Sequence, residues 1–284
     1  MLKQTEKRKV PILMYHAISE SSVPIFRPFT VAPAQFAEQM AYIYEKQYTP
    51  LTVTQLVRAR LQNEGTLPEK PVVITFDDGF ADFFTEALPI LKQYNFTATL
   101  YISTAFVNGT SRWLKRIGEG ERLMLTWEQV TEINASSIEC GGHTHTHPRL
   151  DTIPPSKARD EIELGKKMLE DHLGQEILSF AYPFGSFTGR VRQIVQEVGF
   201  QSACAVRYAM SPENDNSFSL ARLIVSEGMT TEEFAMQLTG SNAKPDTAIY
   251  TLYNYARTVP FYLASCISSA VKRYFYRPQA EDWA

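Results

Sequence analysis

Two strings in the chain gather residue types that carry out hydrolysis. The first is Ile74-Thr75-Phe76-Asp77-Asp78-Gly79-Phe80, an apolar run that ends in two acids and a glycine. Successive side chains leaving a strand point in different directions, so one carboxylate can bind a metal while its neighbour faces a substrate. A solvated Asp-Gly turn is the competing reading, and context must decide. The second string is Cys140-Gly141-Gly142-His143-Thr144-His145-Thr146-His147-Pro148, which packs three of the chain's five histidines into a few positions. His143 and His147 have a helical spacing, but the glycine pair and Pro148 disfavour a helix, so they must converge from a tight loop. Two imidazoles and one carboxylate leave a coordination position open, as catalytic divalent sites do. His145 is expected to point away, with a ligand or supporting role as the alternative. Cys140 lies within or at the end of a strand and reads as a core thiol rather than a further donor.

These residues need a scaffold that brings distant segments together. Candidate strands are Val10 to Tyr15, Val72 to Phe76, Thr97 to Ile102, Ser137 to Cys140, Ile177 to Ala181, Ser202 to Val206 and Leu220 to Val225, each short and bounded by Pro, Gly or charge. Helical patterns lie between them: Phe36, Met40 and Ile43; Leu88, Leu91 and Tyr94; Ile162, Met168 and Leu169 before Gly174. Thr126 with Gln129 and Thr230 with Glu233 read as capping boxes, and Gly199 reads as a helix stop. Strand-then-helix order with strands apolar on both faces predicts a parallel sheet, and seven such units predict an α/β barrel. Chemistry then belongs at the C-terminal ends of the strands, where both strings fall.

Length and composition leave one α/β barrel or two small domains as the options. The 284 residues are 44% hydrophobic and 12% aromatic, which excludes disorder, and a net charge of -3 gives no electrostatic case for nucleic acid. Three scattered cysteines make no disulfide framework. The apolar run Val10 to Tyr15 is too short for a signal-peptide core, so a cytoplasmic location is the default expectation.

The strings TFDDG at 75 to 79 and HTHTH at 143 to 147 resemble the first two motifs of the polysaccharide deacetylases, carbohydrate esterase family 4. The resemblance extends from PILMYH at 11 to 16, through AYPFG at 181 to 185, to LARLIVSEGMTTEEF at 220 to 234. It implies a distorted (β/α)7 TIM-like barrel, agreeing with the strand count. It also implies that Asp78, His143 and His147 hold one divalent metal ion, zinc in the first instance, and that Asp77 is the general base. A backbone N–H near Phe184, in the loop with Tyr182 and Pro183, would hold the oxyanion. Thr144 would have a structural or substrate-contact role.

The chain departs from the commonest family pattern at two points. It has Ala181 and Tyr182 before Pro183 where many members have an arginine, and no histidine follows His172, so the late histidine that serves as general acid is missing. Met14-Tyr15-His16 resembles a string of the poly-N-acetylglucosamine deacetylase branch and ends the first strand. His16 is therefore expected to be the acid, facing Asp77 across the pocket, with a satisfied core histidine as the alternative. Arg222 is a candidate to orient Asp77, with a surface or ion-pair role as the alternative, and His172 reads as a surface residue.

The expected organisation is a catalytic barrel over 8–240 and an aromatic-rich basic extension over 241–284. Its uncharged run Val259 to Val271 is too short to span a bilayer. The stretch 246–276 is a candidate for contact with a membrane surface, at the inner face, or for packing on the barrel or a second subunit. The resemblance implies a metal-dependent hydrolase that removes N-acetyl or other N-acyl groups from the amino sugars of a saccharide partner. Hydrolysis of another C–N amide and a non-catalytic carbohydrate-binding module are the alternatives; retention of Asp77 speaks against the latter.

Overall fold

The computed structural model describes residues 9–61 and 67–240; the extension at 241–284, and with it the membrane or self-association surface expected at 246–276, lies outside the described residues. Among the described residues no helix is long and apolar enough to cross a membrane. The strands in chain order are β1 (Ile12–Tyr15), β2 (Ala17–Ile18), β3 (Thr30–Val31), β4 (Thr49–Leu51), β5 (Pro71–Phe76), β6 (Thr99–Ile102), β7 (Glu139–Gly142), β8 (Ser179–Ala181), β9 (Ser202–Cys204) and β10 (Leu223–Ile224). The helices are α1 (Pro33–Glu45), α2 (Val53–Leu61), α3 (Leu88–Gln93), α4 (Trp127–Ala135), α5 (Pro155–Leu173), α6 (Gly189–Glu197) and α7 (Thr231–Thr239).

The main sheet is parallel and runs β10-β1-β5-β6-β7-β8-β9. It curls until its ends meet: Cys204 bridges Leu220, with Ala205 N–H donating to Leu220 O and Leu220 N–H to Ala203 O. This is the seven-strand barrel the apolar runs predicted, each run overlapping one of its strands, although the run Ser137 to Cys140 stops two residues short of the end of β7. The distortion has a local cause. β4 takes the first half of one β5 edge, Thr49 to Leu51 against Pro71 to Val73, which leaves β6 only Thr75 and Phe76.

Both capping boxes form, and Gly199 takes a positive φ after α6. Strand alternation then sorts side chains between an outer layer under the helices and the barrel interior. Tyr15 and Phe76 face outward and stack at 5.3 Å, with the Phe36 ring of α1 edge-on to both. The Tyr15 hydroxyl donates to Gln39 Oε1. Each such buried ring contributes about 1.5–3 kcal/mol, which fixes the register of β1 on β5 and turns the next residue of each strand inward, at the rim.

Candidate active site

His16 and Asp77 are those next residues. Tyr15 pairs with Phe76, and Asp77 N–H donates to Tyr15 O at 3.0 Å, so His16 and Asp77 leave adjacent strands side by side. His16 does not face Asp77 from the opposite wall, as expected from sequence, because β1 and β5 are neighbours in the sheet. Both line one cavity with Asp78, His143 and His147.

Asp78 takes φ +78°, a left-handed conformation uncommon for side-chain-bearing residues and most often taken, glycine apart, by Asn, Asp and His. It is held by Ser103 N–H donating to Asp78 O and by Gly79, at φ +87°, packed on Ile102. The strained turn separates the two carboxylates. Asp77 points to Arg222, and Asp78 Oδ1 lies 3.1 Å from His147 Nε2 and 3.4 Å from His143 Nε2.

The histidine loop is built from both sides. A Cβ on Gly141 would lie 2.6 Å from the Tyr101 ring inside the barrel, and one on Gly142 would lie 2.9 Å from Phe200 outside it. The glycine pair is thus set by packing on two faces. Thr144 at φ +65° and His147 at φ +58° fold the loop back, and Thr144 Oγ1 both donates to His143 O and accepts from His147 N–H. Glu161 of α5 accepts from the N–H groups of His145 and Thr146 and from the Thr146 hydroxyl. Gly165 lets α5 approach to where a Cβ would meet Thr144 C at 2.8 Å. Sequence reasoning missed Glu161 and Gly165, which sit on an ordinary amphipathic helix.

The ligand atoms of Asp78, His143 and His147 all lie within 4.8 Å of one another. Bonds of about 2.0–2.2 Å to a tetrahedral zinc put ligand atoms about 3.3–3.6 Å apart, close to the 3.4 and 3.1 Å that separate Asp78 Oδ1 from the two imidazoles. His143 Nδ1 donates to Ala181 O at 2.8 Å, which aims its Nε2 at Asp78. The donor set and its support fit a divalent ion. Burial alone would raise the Asp78 pKa, but the charge of His147 and hydrogen bonds from both histidines hold it well below the usual carboxylate range.

Arg222 is completely buried rather than at the surface. Its Nη1 and Nη2 donate to Asp77 Oδ1 and Oδ2 at 2.6 and 2.8 Å, its Nε donates to Ala205 O, and Nη1 also reaches Thr75 Oγ1. Burial pushes the Asp77 carboxyl up, while the charges of Arg222 and His143 and the Arg222 hydrogen bonds outweigh it, so Asp77 titrates below its ordinary value. His16 is half-buried, with Nδ1 shielded and unpartnered. Burial lowers its pKa; Asp78 and Asp77 oppose this and Arg222 and His143 add to it, so the neutral imidazole is favoured at pH 7.

Phe184, at φ +58°, and Gly185 bring the Tyr182–Gly185 loop to the cavity wall, with the Phe184 ring 4.9 Å from that of His147. Tyr182 and Pro183 are buried behind it, the Tyr182 hydroxyl donating to Phe218 O. The remaining histidines are elsewhere. His145 Nδ1 bonds Thr104 Oγ1 outside the cavity, and His172 stacks on Trp127 at the surface. Cys140 faces the outer core, where burial pushes its thiol up to about 12. Sequence reasoning also missed the apolar walls, among them Phe26, Phe29, Trp113 and Ile117, which come from two short 3-10 helices, Arg27–Phe29 with its cap Phe26 and Arg112–Ile117, too short to show a hydrophobic period.

The polysaccharide deacetylase family model matches residues 64–203, which hold Asp77, Asp78, His143 and His147 but neither His16 nor Arg222. YxkH of Bacillus subtilis, provisionally named a polysaccharide deacetylase, is 27% identical over 82% of this chain and 77% of its own. The poly-beta-1,6-N-acetyl-D-glucosamine N-deacetylase of Escherichia coli K12 is 24% identical over 75% of this chain, which spans only 36% of that protein. The Streptococcus pyogenes deacetylase PplD, solved in complex with acetate, superposes with a TM-score of 0.71 at 28% identity, covering 82% of this chain and 99% of that one.

Proposed function

We propose that this chain, which belongs to the polysaccharide deacetylase family, is a metal-dependent hydrolase that removes N-acetyl groups from amino sugars of a saccharide. The observation that carries the reading is the convergence of Asp77, Asp78, His143 and His147 at one end of the barrel, in one cavity with His16. Support for the substrate class comes from the E. coli relative, which acts on an N-acetylated glucosamine polymer, and from PplD, a deacetylase with acetate bound.

Asp78, His143 and His147 would hold the ion, zinc first by its taste for imidazole and carboxylate, and the ion would supply a charge that polarises the amide carbonyl and an acidified water. Asp77, kept ionised and aligned by Arg222, takes the proton from the water oxygen as that oxygen bonds to the acyl carbon. The Phe184–Gly185 turn offers backbone to the oxygen that becomes negative. The C–N bond then breaks, and the nitrogen leaves as an amine once His16 donates a proton to it. Because neutral His16 is favoured beforehand, the proton it delivers is the one released in turnover, reaching it from Asp77 on the next strand.

The deciding experiment is acetate release from β-1,6- and β-1,4-linked N-acetylglucosamine oligomers by the full chain with zinc, together with metal analysis. Release that disappears on chelation and returns with metal is the expected result. A metal-loaded protein inactive on every N-acetylated saccharide would overturn the reading.

A further inference from the structure

Arg122 lies in a loop, yet its side chain is only 11% exposed. It joins three stretches of chain. Its guanidinium donates to Asp82 Oδ2 at 3.1 Å, to Glu119 Oε2 and to Ser21 O at 3.0 Å. Glu119 Oε1 in turn accepts from Val23 N–H at 2.5 Å. The same guanidinium lies over two aromatic rings, 5.4 Å from the centre of Phe26 and 5.6 Å from that of Phe80.

Each ring starts a chain of contacts that ends at a site histidine. Phe26 touches Phe29 at 5.7 Å, and Phe29 meets the His16 ring edge-on at 5.1 Å. Phe80 stacks on Trp113 at 6.0 Å and 16°, and Trp113 lies 5.3 Å from His147. Phe26, Phe29 and Trp113 all line the cavity.

Two acids and one cation set in an aromatic shell are a poor source of stability, since desolvation offsets the attraction. Here burial pushes Asp82 up to about 6 in spite of the charge of Arg122 and the hydrogen bonds from Ile18 N–H and Arg122. What the cluster supplies is geometry. A planar fork can lie on two rings while bonding three acceptors, which a lysine ammonium cannot do.

We propose that Arg122 is a positioning residue of the cleft, clamping segment 19–29 to segment 111–122 and so fixing the Phe26–Phe29 and Trp113 walls that grip the saccharide beside His16 and His147. The identity of the occupant rests on the function proposed above; the clamp does not.

The test is Arg122→Lys in the full chain. Hydrogen exchange should quicken about ten-fold or more in both segments while β5 and β7 keep their protection. KM for an N-acetylglucosamine oligomer should rise about five-fold or more, with kcat within about three-fold and hydrolysis of 4-nitrophenyl acetate, too small to reach both walls, within about two-fold. If the lysine variant does not fold, Arg122→Met with Asp82→Asn and Glu119→Gln removes the clamp without stranding buried acids, and the same readouts apply. Unchanged exchange in the two segments overturns the clamp. Faster exchange with an unchanged KM, or ester and saccharide turnover falling by one factor, overturns the positioning role. A wild-type protein that releases no acetate from saccharide counts against the proposed function, and hydrogen exchange still judges the clamp.

Discussion

Arg222 and Asp77, 145 positions apart in the chain, are joined by two parallel hydrogen bonds inside the barrel. Arg222 is also tied through Nε to Ala205, at the seam where β9 meets the approach to β10. Closure of the barrel therefore reaches the base candidate just past the end of β5 through one side chain.

Arg222→Met should lower stability by about 3–5 kcal/mol, because it strands a buried carboxylate. The surviving Asp77 keeps the burial that raises its pKa and loses the charge that lowers it. The acid limb of the pH–kcat/KM profile should therefore move to higher pH. Urea denaturation and the pH profile check both effects; an unmoved acid limb in a folded variant would count against the orienting role.

The same pair fixes the sign of a stability change. Asp77 titrates lower folded than unfolded, so its contribution is complete above its ordinary value near 3.8 and is lost as pH falls through the lowered folded value. Stability of the wild type should fall as pH drops below about 4. In Arg222→Met, whose carboxyl is no longer held down, this acid loss should shrink or reverse. A thermal melt series from pH 3 to 7 reads it out.

The two neighbouring aspartates should separate cleanly. Asp78→Ala, His143→Ala and His147→Ala should each lose metal and activity together, since a three-ligand site cannot spare one. Asp77→Asn should keep the metal while kcat falls by a factor on the order of 10² or more. Metal analysis beside kinetics decides, and loss of metal from Asp77→Asn would make Asp77 a ligand.

The seven strands and the histidine loop were legible because apolar runs bounded by Gly, Pro or charge carry barrel strands, and because three clustered histidines have few other uses. Asp78 over Asp77 as the neighbour of the histidines could not be read from the string, since it depends on the left-handed turn at Asp78. β4, three residues around Pro50, has no periodicity to detect. Arg222 was visible as a candidate, but its burial follows from barrel closure, which no local pattern encodes. The aromatic walls escaped notice because the 3-10 helices that carry them, Arg27–Phe29 and Arg112–Ile117, are too short to leave a periodic pattern in the sequence.

Gly165 tests how far α5 supports the histidine loop. Alanine favours a helix by about 1 kcal/mol over glycine, but here its Cβ would meet Thr144 C at 2.8 Å and Thr144 O at 2.9 Å, backbone atoms that cannot turn aside. Overpacking of this kind costs about 1–3 kcal/mol, so the clash wins. Gly165→Ala should melt lower and bind zinc more weakly. Gly189→Ala, where nothing lies within 4 Å of a Cβ, is the control and should do neither.

His16 tests the route of the proton. An amide nitrogen leaves poorly as an anion, so C–N cleavage needs a donor, whereas an activated aryl ester does not. His145 is engaged with Thr104 and His172 with Met168 and Trp127, both away from the cavity, which leaves His16 as the histidine beside Asp77 that does not belong to the ligand set. His16→Ala should retain zinc and lose amide turnover by a factor of about 10²–10⁴, with a much smaller loss on 4-nitrophenyl acetate. His16→Gln, which fills the space beside Phe29 without a titrating group, should behave like the alanine variant if proton transfer is the cause. Recovery of amide turnover by glutamine would instead make His16 a packing and hydrogen-bonding residue. An equal fall on ester and amide would move the proton donor to water.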